Sequence, residues 1–388
     1  MEDTVRERLR AIEAPEPATT EDTAGDRALG DEAASERGEE AESGADIVSR
    51  GLVGAIDVVD GTAHVELAVG APHSPAETAL AERVREAIED LGYEPALSVA
   101  IDDETPAGRT DDAPIVIAVA SGKGGVGKST VAVNIAAGIA DRGADVGIFD
   151  ADVYGPNVPR MLGVREEMVQ AGPNDTILPV DAHGMKVLSV GFLVENTDPV
   201  VWRGAVVDSM LTDLWHDVDW GGVDYVVVDL PPGTGDAQLT MLQQMPVMGA
   251  VTVTTPQDVA LDNARKGVNQ FEPHEAAVFG VVENMSTFVC PTCADTHEVF
   301  ASGGGETLAA EFDVPLLSRI PLDPSIGDAG ETGEPIVYGD GETAAIFERL
   351  AGDVMDEVGR RRRRAHVRGA SADDGAGDAA SDDGTRLR

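Results

Sequence analysis

Positive charge is scarce in this chain of 388 residues. Four lysines and 24 arginines face 71 aspartates and glutamates, for a formal net charge of −43. That balance argues against general binding of nucleic acid or of anionic lipid. Cysteine is scarcer still, with only Cys290 and Cys293, too few for a disulfide scaffold. Long apolar runs are missing as well. The opening MEDTVRERLR has no apolar core of a secretory signal, and no stretch approaches the ~18 apolar residues of a membrane span. The expectation is a cytoplasmic protein without membrane or nucleic-acid partners. Hydrophobic content nevertheless reaches 42%, enough for a globular core beneath a strongly acidic surface. Few lysines and many carboxylates, with arginine as the cation, suit a halophile's cytosolic protein, whose self-repulsion salt would screen.

Composition divides the chain. Residues 2–12 read as a short helix with Val5, Leu9 and Ile12 on one face. About 14–45 is nearly devoid of apolar residues and is expected to be a disordered acidic insert. Two strands, 52–59 and 63–69, flank the tight Asp60-Gly61 turn, and a helix over 76–91 and a strand over 96–101 complete a small α/β domain, 1–101. A polar linker, 102–113, leads to a second domain, 114–359, where apolar strands alternate with helices in the rhythm of a doubly wound, mostly parallel sheet. Its candidate strands are 115–120, 146–150, 185–190, 225–229, 250–255, 277–283 and 315–320. A last helix over 342–359 carries Ile346, Leu350, Val354 and Val358 on one face. Arg360 to Arg364 and the remainder to 388 are expected to be a solvated, disordered tail.

The second domain opens on PIVIAVASGKGGVGKST, from Pro114 to Thr130. Gly122, Gly127, Lys128 and Ser129 satisfy G-x-x-x-x-G-K-[ST] between a strand and a helix, the setting a phosphate loop requires. Glycines let backbone N–H groups turn inward on phosphate oxygens, and the helix N-terminus adds partial positive charge. The candidate nucleotide contacts are Gly122, Gly124, Gly125, Val126, Gly127, Lys128, Ser129 and Thr130, with Lys128 for the β/γ-phosphates and Ser129 for Mg²⁺. The bland alternative is a glycine-rich turn. Lys123 adds a second lysine, either an ordinary solvated one or part of the site.

Further candidates stand where strands end. Asp150 and Asp152 follow one strand and suit a magnesium shell and an attacking water, although Asp is also a common turn-former. Asp229 closes the buried run YVVVD, a Walker B arrangement for Mg²⁺, and the Gly233–Gly235 turn after it suits γ-phosphate sensing. Asn284 ends another strand, where an amide can read an adenine edge. Beyond it comes Cys290-Pro-Thr-Cys293. Two thiolates in one turn can share a metal, but a tetrahedral zinc or an Fe₄S₄ cluster wants about four ligands. His297 alone leaves the set short. Two chains related by a two-fold axis would supply four thiolates. A redox pair, or a zinc knuckle completed by His, are the other readings.

From about 114 to 350 the chain resembles the Mrp/ApbC family of P-loop iron–sulfur carriers, related to MinD and ParA. The supporting stretches are SGKGGVGKST, DADVYGPNVPRMLG, YVVVDLPPGTGD, ENMSTFVCPTC and IPLDPSI. The N-terminal order resembles the small iron–sulfur assembly domain found before many such proteins, with His73 where a cysteine is usual. The resemblance implies an ATPase that forms a homodimer, holds a 4Fe-4S cluster on Cys290 and Cys293, and delivers it to apo iron–sulfur proteins. It further implies that Lys123 reaches the partner's nucleotide and that Lys128 and Asp152 serve hydrolysis, Asp152 by positioning water. Asp150 would lie near the metal, and Pro321 and Asp323 would close over the base. The alternative is a MinD/ParA-like positioning ATPase without a cluster.

Overall fold

A computed structural model of the protein describes residues 1–15, 46–99, 113–193, 204–233, 235–271, 276–290, 293, 295–300 and 303–377. Most of the expected acidic insert, nearly all of the linker and the last eleven residues of the tail lie outside these. The chain forms two compact units, one from residues 1–17, 26–111 and 355–388, the other chiefly from 112–354.

In the first unit, α1 (Glu2–Leu9), β1 (Val53–Val59), β2 (Thr62–Leu67), α2 (Pro75–Glu89) and β3 (Glu94–Val99) follow the expected order. Asp60 and Gly61 both have positive φ, 49° and 87°, and join β1 to β2 as a two-residue hairpin with Val59 opposite Thr62. Such a turn matches the strands' own twist. β3 then pairs parallel with β2. Val5, Leu9, Ile56, Val65, Leu80, Val84 and Ile88 close the core. His73 is exposed.

The second unit holds an eight-stranded sheet. Its elements are β4 (Ile115–Ser121), α3 (Lys128–Asp141), β5 (Val146–Asp150), α4 (Val158–Met161), the short pair β6 (Gln170–Ala171) and β7 (Ile177–Leu178), β8 (Val180–Ala182), β9 (Met185–Ser189), α5 (Gly204–Asp217), β10 (Tyr225–Asp229), α6 (Asp236–Gln244), β11 (Val247–Thr254), α7 (Asp258–Phe271) and β12 (Ala277–Asn284). The ribbon β13 (Phe288–Val289) and β14 (Thr296–His297), then α8 (Gly304–Glu311), β15 (Leu316–Ile320), α9 (Pro324–Thr332) and α10 (Glu342–Gly377) complete the series. Strand order is β15-β12-β11-β4-β10-β5-β9-β8. All neighbours are parallel except β8, an antiparallel edge. Every residue of β4, β5 and β10 is buried, as strands covered on both faces must be.

The C-terminal boundary needs correction. The helix expected to stop at Gly359 continues to Gly377, and its residues from Met355 belong to the first unit. Arg362 and Arg363, expected in solvent, are 9% and 7% exposed. Arg362 donates to the Gly70 carbonyl at 2.6 Å, and Arg363 pairs with the buried Glu77 carboxylate. Glu77 also accepts from the Gly70 and Ala71 N–H groups at 2.8 and 2.7 Å. A charged residue tolerates burial only when paired in this way. Gly359 fits because a Cβ there would meet the Glu77 carboxylate at 2.4 Å.

Candidate functional site

In an open parallel sheet, ligands bind beyond the carboxyl ends of the strands. Four such ends carry the residues singled out above. β4 runs into the phosphate loop, β5 ends at Asp150, β10 at Asp229 and β12 at Asn284. In-register pairing sets Asp229 beside Asp150 and Val119.

The loop's conformation depends on its glycines. A Cβ on Gly122 would lie 2.2 Å from the Asn263 backbone of α7, and Gly127 has φ of 88°. Gly127 is also the N-cap of α3 and makes no side-chain cap bond. The first N–H groups of that helix are thus left for an anion. Gly124 and Gly125 are exposed, with open space where a Cβ would be. Behind the loop, the Asn284 amide donates to the Val126 carbonyl at 2.8 Å. The Gly233 N–H donates to the Ser121 carbonyl at 2.9 Å, tying the turn after β10 to the loop's start.

Lys128 is buried. Its ammonium lies 2.5 Å from Asp229 Oδ1 and 3.8 Å from Asp152 Oδ2. Two carboxylates thus neutralise the loop lysine. Asp229 Oδ2 is buried and has no hydrogen-bond partner. An orphaned carboxylate oxygen beside the loop fits Mg²⁺, a hard cation that prefers oxygen ligands. Asp150 differs. It is wholly buried and accepts from the Asp152 and Val158 N–H groups, both at 3.2 Å, and from the Ser189 hydroxyl at 3.0 Å. Burial pushes its carboxyl up to about 8, the Asp229 charge adds to the rise, and Lys128 opposes it. Burial raises Asp229 too, against Lys128. Asp150 therefore anchors the segment that carries Asp152, while Asp229 keeps the open oxygen.

The remaining candidates are placed as follows. Lys123 Nζ donates to Gln257 Oε1 of its own chain at 3.2 Å. Asp323 caps α9, accepting from the Ser325 N–H at 2.9 Å and from the Thr343 hydroxyl at 2.5 Å. Burial raises its carboxyl, but these bonds outweigh it and leave the pKa lowered. Pro321 precedes it, half-buried, in the connection from β15. Cys290 and Cys293 sit on the β13–β14 ribbon, half-buried and exposed, and are not joined in a disulfide.

The family model described as NUBPL iron-transfer P-loop NTPase matches residues 113–355. The chain belongs to that family. A model described as iron–sulfur cluster assembly protein matches residues 40–99. The iron–sulfur cluster carrier protein of Synechocystis is 41% identical over 325 residues, 79% of this chain and 92% of that relative. The mouse iron–sulfur cluster transfer protein NUBPL is 45% identical over 244 residues, 62% and 76% of the two chains. Among solved structures, the nucleotide-binding protein of Archaeoglobus fulgidus in complex with ADP is 36% identical. That match covers 62% of this chain and 94% of the other, with a TM-score of 0.54.

Four residues beside the candidates escaped the sequence reading. Ser189 steadies Asp150, and Gln257 holds Lys123. Glu283, one residue before Asn284, is buried and accepts from the Gly305 N–H at 2.5 Å, fixing α8. Asp295 stands beside Cys293 and His297. Among the described residues, no helix is long and apolar enough to cross a membrane.

Proposed function

We propose that the protein is an ATP-hydrolysing iron–sulfur cluster carrier that works as a cytoplasmic homodimer. One observation carries the reading. Asn284, whose amide holds the phosphate loop at Val126, is the last residue of β12, and the cysteine ribbon begins four residues later. A change of nucleotide at the loop thereby acts on the segment that would hold the cargo.

The bound nucleotide supplies the phosphoryl group, and Mg²⁺ the charge that its β- and γ-oxygens require. Backbone N–H groups of 124–129 and the α3 N-terminus bind the phosphates, and Lys128 leaves its carboxylates for them. Ser129 and the open oxygen of Asp229 would hold the cation. Asp152 orients the attacking water, positioned by Asp150 through the backbone between them. Lys123 releases Gln257 and reaches toward the partner's nucleotide. Pro321 and the Asp323 cap shape the wall on the base side.

The cluster is cargo, not a resident group. Each chain offers Cys290 and Cys293, so a 4Fe-4S cluster takes four thiolates from two chains and passes to apo iron–sulfur proteins when the interface loosens. The relatives named as carriers and transfer proteins support this assignment. Its test at the nucleotide site is Asp152→Ala, which should abolish ATP hydrolysis while ATP still binds. Wild-type turnover in that variant overturns the role given to Asp152.

A further inference from the structure

The cysteine ribbon carries more donors than a shared cluster requires. β13 and β14 pair antiparallel, with Phe288 opposite His297 and Val289 opposite Thr296. The Cys290 N–H donates to the Asp295 carbonyl at 2.9 Å, extending the ladder to the turn. Residues two apart on a strand share a face, which places Asp295 and His297 on the same side. Cys293, in the turn, joins them. Its Sγ, a carboxylate oxygen of Asp295 and a ring nitrogen of His297 all lie within 4.8 Å of one another, and all three residues are exposed. The sequence has only two cysteines and seven histidines in 388 residues. Finding one of each with a carboxylate on a single ribbon is therefore a pointed arrangement.

We propose that one protomer binds a single divalent ion of the zinc class through Cys293, Asp295 and His297, with no residue from a second chain. Thiolate, imidazole and carboxylate are the donors Zn²⁺ prefers. Around a tetrahedral ion, bonds of about 2.0–2.3 Å set neighbouring ligands roughly 3.3–3.8 Å apart. Exposed side chains close the difference from 4.8 Å by small rotations about their own bonds. Three protein ligands leave the fourth position open, as in sites that exchange what they hold. The site differs from the proposed cluster site, because it omits Cys290 and adds Asp295 and His297. It shares Cys293 with the cluster, so one protomer's zinc-class ion and the bridging cluster exclude each other.

The experiment titrates the metal-free full-length chain anaerobically with Co²⁺, whose absorption reports thiolate ligation and coordination number. The expected result is one Co²⁺ per chain, a thiolate charge-transfer band and the intense visible bands of a four-coordinate ion. Asp295→Ala and His297→Ala should each weaken binding more than ~10-fold. Cys293→Ser should abolish the charge-transfer band, whereas Cys290→Ser should leave stoichiometry and spectrum unchanged. One Co²⁺ per two chains, loss of the site in Cys290→Ser, or unchanged affinity in His297→Ala would overturn the proposal. Iron and sulfide uptake by the His297→Ala protein tests the carrier reading separately, since that reading needs both cysteines and no histidine.

Discussion

Replacing Lys128 by Met probes the nucleotide site without any nucleotide. The substitution keeps the volume and removes the charge 2.5 Å from Asp229 and 3.8 Å from Asp152. Asp229 is 0% exposed and already has one oxygen without a partner, so the variant leaves a buried carboxylate uncompensated. Breaking a buried pair from one side typically costs about 3–5 kcal/mol. The protein has one escape, which is to protonate Asp229. Burial has raised that carboxyl and Lys128 is the chief influence lowering it, so loss of Lys128 raises it further. A carboxyl raised in the folded state above its unfolded value lets the native protein hold an extra proton in between. Stability must then grow as pH falls, by up to ~1.4 kcal/mol per unit. The loss relative to wild type should accordingly be largest at alkaline pH and shrink as the pH is lowered. All three tryptophans, Trp202, Trp215 and Trp220, fall within the 112–354 unit. Urea titrations followed by tryptophan emission therefore report this unit alone. The double variant Lys128→Met/Asp229→Asn should recover most of the loss. A deficit below ~1 kcal/mol, or one that does not change with pH, would refute the reasoning.

Three further outcomes follow from the same structure. Gly122→Ala sets a Cβ 2.2 Å from α7 backbone that cannot yield locally; it should cost about 1–3 kcal/mol and weaken ATP binding in a filter assay, while Gly124→Ala, with open space around it, should unfold like wild type. Arg363→Ala strands the buried Glu77 and should lower the stability of the first unit by about 3 kcal/mol, seen as faster hydrogen exchange in β1 and β2; the α10 segment past Gly359 would be dispensable if exchange there stayed unchanged. With a net charge of −43 and a Debye length falling from about 10 Å at 0.1 M to 3 Å at 1 M salt, the melting temperature should climb with KCl, and a flat profile would contradict the halophile reading.

Much of this was legible because the deciding forces are local or periodic. Parallel strands buried on both faces must be continuous apolar runs, and the seven expected strands of the sheet all form, with ends shifted by a few residues. The phosphate loop is written in consecutive residues. What escaped depends on distant partners. Leu350, Val354 and Val358 mark a helix face, and the next position four residues on is Arg362. Read alone, an arginine ends the apolar stripe; only the Gly70 carbonyl and the neighbouring Glu77–Arg363 pair, nearly 300 residues upstream, explain how the stripe continues. Asp150 and Asp229 were both candidates for the magnesium site, and only their hydrogen-bond partners show that Asp150 is fully engaged while Asp229 keeps one oxygen without a partner. Asp295 was invisible among 71 acidic residues until the ribbon pairing brought it to Cys293 and His297.

Anaerobic reconstitution with iron and sulfide, followed by iron and sulfide counts on the size-fractionated protein, tests the carrier assignment most directly. The expected result is about four irons per two chains in a dimer, lost in both Cys290→Ser and Cys293→Ser. A protein that stays monomeric and free of iron, or keeps its iron after either substitution, would contradict it.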